Sequence, residues 1–157
     1  MKSCVVLLCL WAGLGLSAWA QSSPATPPTA ALSASPASVD SALYRSLGEK
    51  AGISRLMDDF VNRLAADPRL SEAFRESNLP HLKEQLTEQI CQVAGGPCVY
   101  QGVDMRTAHE DMNIRRAQFN ALVEDLQAAM DAQGIAFRVQ NQLLARLAPM
   151  HREIIAR

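Results

Sequence analysis

Three histidines, His81, His109 and His151, are the side chains best suited to hold a metal or move a proton near neutral pH. A neutral imidazole offers one lone pair and one N–H. Taken alone, each of the three is more readily a surface or core polar residue than a ligand. Four cysteines are present, at 4, 9, 91 and 98. Cys91 and Cys98 form the natural pair. In an oxidising compartment they predict a disulfide, and in a reducing one, free thiols. The bridge would close a short loop, for a gain of about 2–3 kcal/mol. A two-thiol metal site lacks two further ligands at suitable spacing.

The compartment is suggested by the start of the chain. Lys2 is followed by an apolar run from Val5 to Leu16 and then by Ala18-Trp19-Ala20. A basic start, a short apolar stretch and a small-x-small end describe a secretory signal peptide over residues 1–20. An uncleaved anchor is the alternative, although the run is short for a bilayer. Lipid attachment does not fit, because Cys4 and Cys9 both precede the small-residue site. The expectation is an exported, periplasmic protein with no stable membrane span once the signal is removed.

The elements that must position these side chains come next. The chain has 157 residues and a formal net charge of -1, which suits one domain and argues against a nucleic-acid partner. Residues 21–40 are rich in Pro, Ala and Ser without periodicity, and predict a disordered tether. The folded domain is expected over residues 41–157. Ser41 could cap a short helix ended by Gly48. Ile53, Leu56, Met57, Phe60, Val61 and Leu64 line one helix face, which Asp67-Pro68 terminates. Asn78 and Pro80 open another helix, with Leu82, Leu86, Ile90 and Val93 as its stripe and Gly95-Gly96-Pro97 as its end. A short helix around Met105 to His109 follows a loop. Two long helices close the chain: one carrying Phe119, Leu122, Val123, Leu126 and Met130 and ending before Gly134, the other carrying Val139, Leu143, Leu144, Leu147, Met150 and Ile154. The fold class is all-α.

The segment GGPCVYQGVDMRTAHEDMNI, Gly95 to Ile114, resembles the truncated-globin signature. Gly95-Gly96, Tyr100-Gln101-Gly102, Met105 and His109 fall in the family's order. The likeness extends over about residues 43 to 152. It is closest to the exported members of group 1 that carry QIC-x-x-x-GGPC, here Gln89-Ile90-Cys91 and Gly95 to Cys98. The resemblance implies a two-over-two helical sandwich around haem b, with His109 as the iron ligand. It implies that the other ring nitrogen donates to a backbone carbonyl. By position, Phe74 would pack on the haem face and Tyr100 would lie at its edge. Met105 would line the pocket, and Lys83 and Arg106 are candidates for the propionates.

Many members place a Tyr directly after the Phe that is Phe60 here, and hold the gas with it and a distal Gln. This chain has Val61 at the Tyr position and Leu82 and Leu86 at the two distal helix positions. An apolar distal pocket is therefore expected, with fast oxygen release and firm binding of carbon monoxide and nitric oxide. Gln85 and Gln89 lie off the Leu82–Leu86–Ile90 stripe. Either they face solvent or one turns inward, Gln89 being the stronger candidate. His81 points the wrong way for the stripe, and His151 is expected at the surface. Three functions compete: a diatomic-gas binder, a nitric oxide dioxygenase or peroxidase-like enzyme needing an external electron donor, and a haemless helical binding module. The enzyme reading lacks an evident acid–base residue.

Overall fold

The computed structural model describes residues 36–155. The expected signal peptide and most of the Pro/Ala/Ser-rich segment lie outside the described residues. All regular structure within the described residues is helical: α1 (Pro36–Ser46), α2 (Glu49–Ala66), α3 (Ser71–Phe74), α4 (Leu79–Val93), α5 (Met105–His109), α6 (Arg116–Ala132), α7 (Phe137–Leu147), a 3₁₀ turn (Ala148–Met150) and α8 (His151–Ile154).

The apolar spacing of α2 accounts for its central place. Ile53, Leu56, Met57, Val61 and Leu64 recur at three- and four-residue steps and are all buried, so the helix is covered along one broad face. It packs most extensively on α4 and then on α6. Leu43 and Leu47 from α1, Ile90 and Cys91 from α4, Ala129 and Met130 from α6, and Val139 and Leu143 from α7 complete the core.

Helix ends follow the local chemistry. Asn78 caps α4, its side chain accepting from the His81 N–H at 3.2 Å, and Pro80 sits in the first turn, where no N–H is needed. Beyond α4, Gly95 takes φ 81°, a conformation that a side chain would strain. At Gly96 a Cβ would run into the Tyr44 ring and Cys91 Sγ, so the turn lies flat against α1 and the cysteine. Cys91 and Cys98 are brought together there, Cα atoms 5.7 Å apart, within disulfide reach.

Two boundaries differ from the sequence expectation. α1 begins at Pro36, ahead of Ser41, and the Ser41 hydroxyl accepts from Arg45 Nη1 at 2.6 Å within the helix instead of capping it. The final helix, expected as one rod through Ile154, breaks at Ala148–Met150. Pro149 has no N–H for the ladder and its ring crowds the preceding turn, so α7 stops and α8 sets off separately. α8 packs on α5.

Candidate functional site

His109 closes α5, a helix of five residues between two loops. Asp104 starts that helix: its carboxylate accepts from the Thr107 N–H at 3.0 Å and the Thr107 hydroxyl at 2.9 Å. The backbone and side-chain bonds from Thr107 hold the Asp104 carboxyl below the usual carboxylate range. One turn back from His109, the Met105 carbonyl lies 2.7 Å from its Nδ1. A carbonyl can only accept, so Nδ1 carries a proton, and in the neutral imidazole the lone pair is then on Nε2. The half-buried imidazole thus has its neutral tautomer set by the backbone, with Nε2 as the nitrogen that can bind a metal.

Hydrocarbon dominates the helices that could face this donor. Phe60 is nearly and Val61 completely buried on α2, and Val61 stands apart from the main core cluster. On α4, Leu86 packs against the core while Leu82 is half-buried outside it. Phe74, at the end of α3, is half-buried against the same core.

The glutamines of α4 depart from the solvent-facing reading. Gln89 is only 8% exposed, with its Nε2 3.4 Å from Met105 Sδ and 3.9 Å from Met150 Sδ. Gln85 buries its Oε1 without a hydrogen-bond partner. Both lie three residues after a wall residue, Leu82 or Leu86, so the inward face of α4 is wider than its apolar stripe. His151 is likewise not a plain surface residue: its half-buried ring meets Phe119 edge-on, centroids 4.9 Å apart. His81 is exposed, as expected.

The proposed propionate partners fare differently. Lys83 pairs with Asp58 of α2 at 3.2 Å, on a groove also lined by Lys50, Ser54, Thr87 and Glu88. Arg106 is exposed, and its side chain makes no ion pair. Tyr100 closes its own loop. Its hydroxyl donates to the Val103 carbonyl at 3.2 Å and its N–H donates to Gln92 Oε1 at 2.7 Å.

Comparison with known proteins decides the family. The bacterial-like globin family matches residues 42–156. The chain is a bacterial-like globin. Among its relatives, the group 1 truncated hemoglobin of Tetrahymena pyriformis is 29% identical over 100 residues, covering 64% of this chain and 83% of the relative. That of Mycolicibacterium paratuberculosis is 29% identical over 121 residues, covering 77% of this chain and 86% of the relative. Both relatives are group 1 truncated hemoglobins, the group whose signature the sequence resembles. Among solved structures, the Fe(III) form of the Tetrahymena pyriformis truncated hemoglobin superposes with a TM-score of 0.71 at 25% identity, over 73% of this chain and 98% of that one. The 2/2 hemoglobin of Synechococcus, solved with covalently attached heme, matches in fold at TM-score 0.69 and 20% identity, over 73% of this chain and 98% of that one. The two-over-two helical fold is thus the fold of this globin.

Membership implies a haem, and the donor set agrees. Among the described residues no three His, Cys, Asp or Glu converge on one point. A metal ion held by the protein alone would want about three or four such ligands. Haem iron asks the protein for one, because the porphyrin supplies four nitrogens, and a lone imidazole with its proton fixed on Nδ1 fits that demand. Among the described residues no helix is long and apolar enough to cross a membrane.

Proposed function

We propose that this globin holds haem b through His109 Nε2 and reversibly binds oxygen, nitric oxide or carbon monoxide beside an apolar wall. When bound, haem would supply an iron that can take up a diatomic gas. His109 fixes its proton on Nδ1 against the Met105 carbonyl, keeping Nε2 a neutral donor. Phe60, Val61, Leu82 and Leu86 exclude water and offer the gas no hydrogen bond. Phe74 and Met105 fill the space around the ring, and of the two candidate cations Arg106 is the one not engaged in an ion pair. Lys83 would reach one only by leaving Asp58. Tyr100 braces the loop leading into α5.

The proposal extends to the rest of the chain. Residues 1–20 act as a signal peptide and the globin works in the periplasm. There Cys91 and Cys98 form a disulfide that ties the end of α4 to the loop before α5, as their Cα separation of 5.7 Å allows. Gas binding, rather than turnover, is the favoured activity, because the wall carries no acid–base group.

The observation that carries the reading is the 2.7 Å contact between His109 Nδ1 and the Met105 carbonyl. The test is the absorption spectrum of the haem-loaded chain in ferric, ferrous and carbonyl forms, beside that of His109→Ala. A five-coordinate ferrous spectrum that the variant loses supports the proposal. Equal haem retention with an unchanged proximal iron–nitrogen vibration would falsify it. Nitric oxide consumption with an added reductant, faster than the spontaneous reaction, would favour the enzyme reading instead.

A further inference from the structure

We infer that Gln89 is a positioning residue, whose amide ties α4 to Met105 and so sets the orientation of the His109 imidazole. The inference rests on the haem reading above, and its test separates the two.

Burial of a primary amide calls for an explanation, because it loses its water unless it finds partners. Gln89 is 8% exposed, and its two N–H groups meet only sulfur: Met105 Sδ at 3.4 Å and Met150 Sδ at 3.9 Å. Thioethers are weak acceptors. A leucine would fill the same space without an amide to satisfy, so packing alone does not account for the residue. What the amide adds is a link among three segments, since its nitrogen reaches α4, α5 and the 3₁₀ turn Ala148–Met150 at once.

The segment most in need of that link is α5. A single short helix has no stability of its own in water. The loop before it exposes Val99 and Val103, and Asn113 beyond it sits at φ 46°. Asp104 caps its start, but the cap does not fix where the helix lies against the rest of the fold. Met105 does both jobs. Its sulfur takes the Gln89 N–H and its carbonyl takes His109 Nδ1 at 2.7 Å. A shift of Met105 therefore carries the imidazole with it. Because Gln89 shares α4 with Leu82 and Leu86, the wall and the imidazole become mechanically joined.

Gln89→Leu and Met105→Leu each remove the link while conserving volume. The backbone carbonyl that holds His109 stays in place in both. In the haem-free full chain, hydrogen exchange of the Ala108 amide, which bonds to the Asp104 carbonyl, reports how firmly α5 is held. Each single variant should exchange about 3- to 10-fold faster, as loss of one weak hydrogen bond implies. The double variant should exchange no faster than Gln89→Leu, because the Gln89–Met105 bond is already absent there. In the haem-loaded chain the iron–histidine stretch should move in the same direction in both singles. Exchange and stretch unchanged from the parent chain, or effects that multiply in the double variant, would overturn the inference. If Gln89→Leu does not fold, Met105→Leu against the parent chain decides it alone. A parent chain that does not retain haem refutes the function proposed above, and the exchange data still judge the role of Gln89.

Discussion

On the proposed function, a wall of buried Val61 and half-buried Leu82 and Leu86 would treat the diatomic gases differently. A gas that gains negative charge on binding is stabilised by a hydrogen-bond donor, and a net contribution of roughly 0.5–1.5 kcal/mol or more is forgone where none is offered. Carbon monoxide polarises less and loses less. Leu86→Gln tests this with nearly conserved volume at a half-buried position of α4. The variant should release oxygen about 10-fold more slowly while its carbon monoxide release changes little, as stopped-flow displacement would record. Equal slowing of both gases would point to a steric change and against the proposed polarity of the wall. His109 was readable in the sequence only because its neighbours stand in a family order. Composition and periodicity gave it no advantage over His81 or His151. Gln89 was legible only as one of two alternatives, turned inward or facing solvent. An apolar stripe cannot decide the direction of a polar side chain beside it, and it says nothing of two thioethers arriving from Met105 and Met150, distant in sequence.

Most helix boundaries were written in punctuation that acts locally. Gly48, Asp67-Pro68, Asn78-Pro80, Gly95-Gly96 and Gly134 each start or stop a helix where the sequence predicts, because a positive φ, a missing N–H or a capping oxygen needs no distant partner. The break at Pro149 was missed since Val139, Leu143, Leu147, Met150 and Ile154 stay in helical register across it. Periodicity reports a face, not the continuity of the hydrogen-bond ladder. The end of α4 depends on more than its glycines. Cys91 is fully buried beside Gly96 and pairs with Cys98 on the loop toward α5. Reducing that pair should lower stability by about 2–3 kcal/mol. The check is urea unfolding with and without dithiothreitol, against a Cys91→Ala/Cys98→Ala chain. The parent chain should lose stability on reduction and the double variant should not respond. An unresponsive parent chain would leave the staple without an energetic role.

Across the whole molecule, the α2–α4–α6 body is closed at one end by a charge network that is not compensated throughout. Arg69, in the turn after α2, reaches Asp67 at 2.7 Å and Glu124 of α6 at 2.6 Å. Hydrogen bonds from the Arg69 side chain and backbone hold the Asp67 carboxyl below its ordinary range. Next to it, burial first and the Asp67 charge second push Asp125 of α6 upward, with Arg69 and Arg63 opposing. Asp125 Oδ2 is buried with no hydrogen-bond partner, so its charged form is the unfavourable one. The two signs oppose. Asp67, depressed, contributes stability above its unfolded pKa that is lost as pH falls through its lower folded value. Asp125, raised, carries a penalty above its folded pKa that is relieved as pH falls through that value and it takes up a proton. Asp125→Asn replaces the carboxylate with a neutral group of the same shape that can donate to Asp67. It should therefore raise the urea midpoint at pH 7.5, and the advantage should shrink as the parent chain protonates within the acid range, above the ordinary Asp value of 3.8. Unfolding curves at pH 7.5 and in the acid range settle the matter. An advantage that stayed constant with pH would mean that Asp125 is not the titrating group, and that the α2–α6 junction is indifferent to its charge.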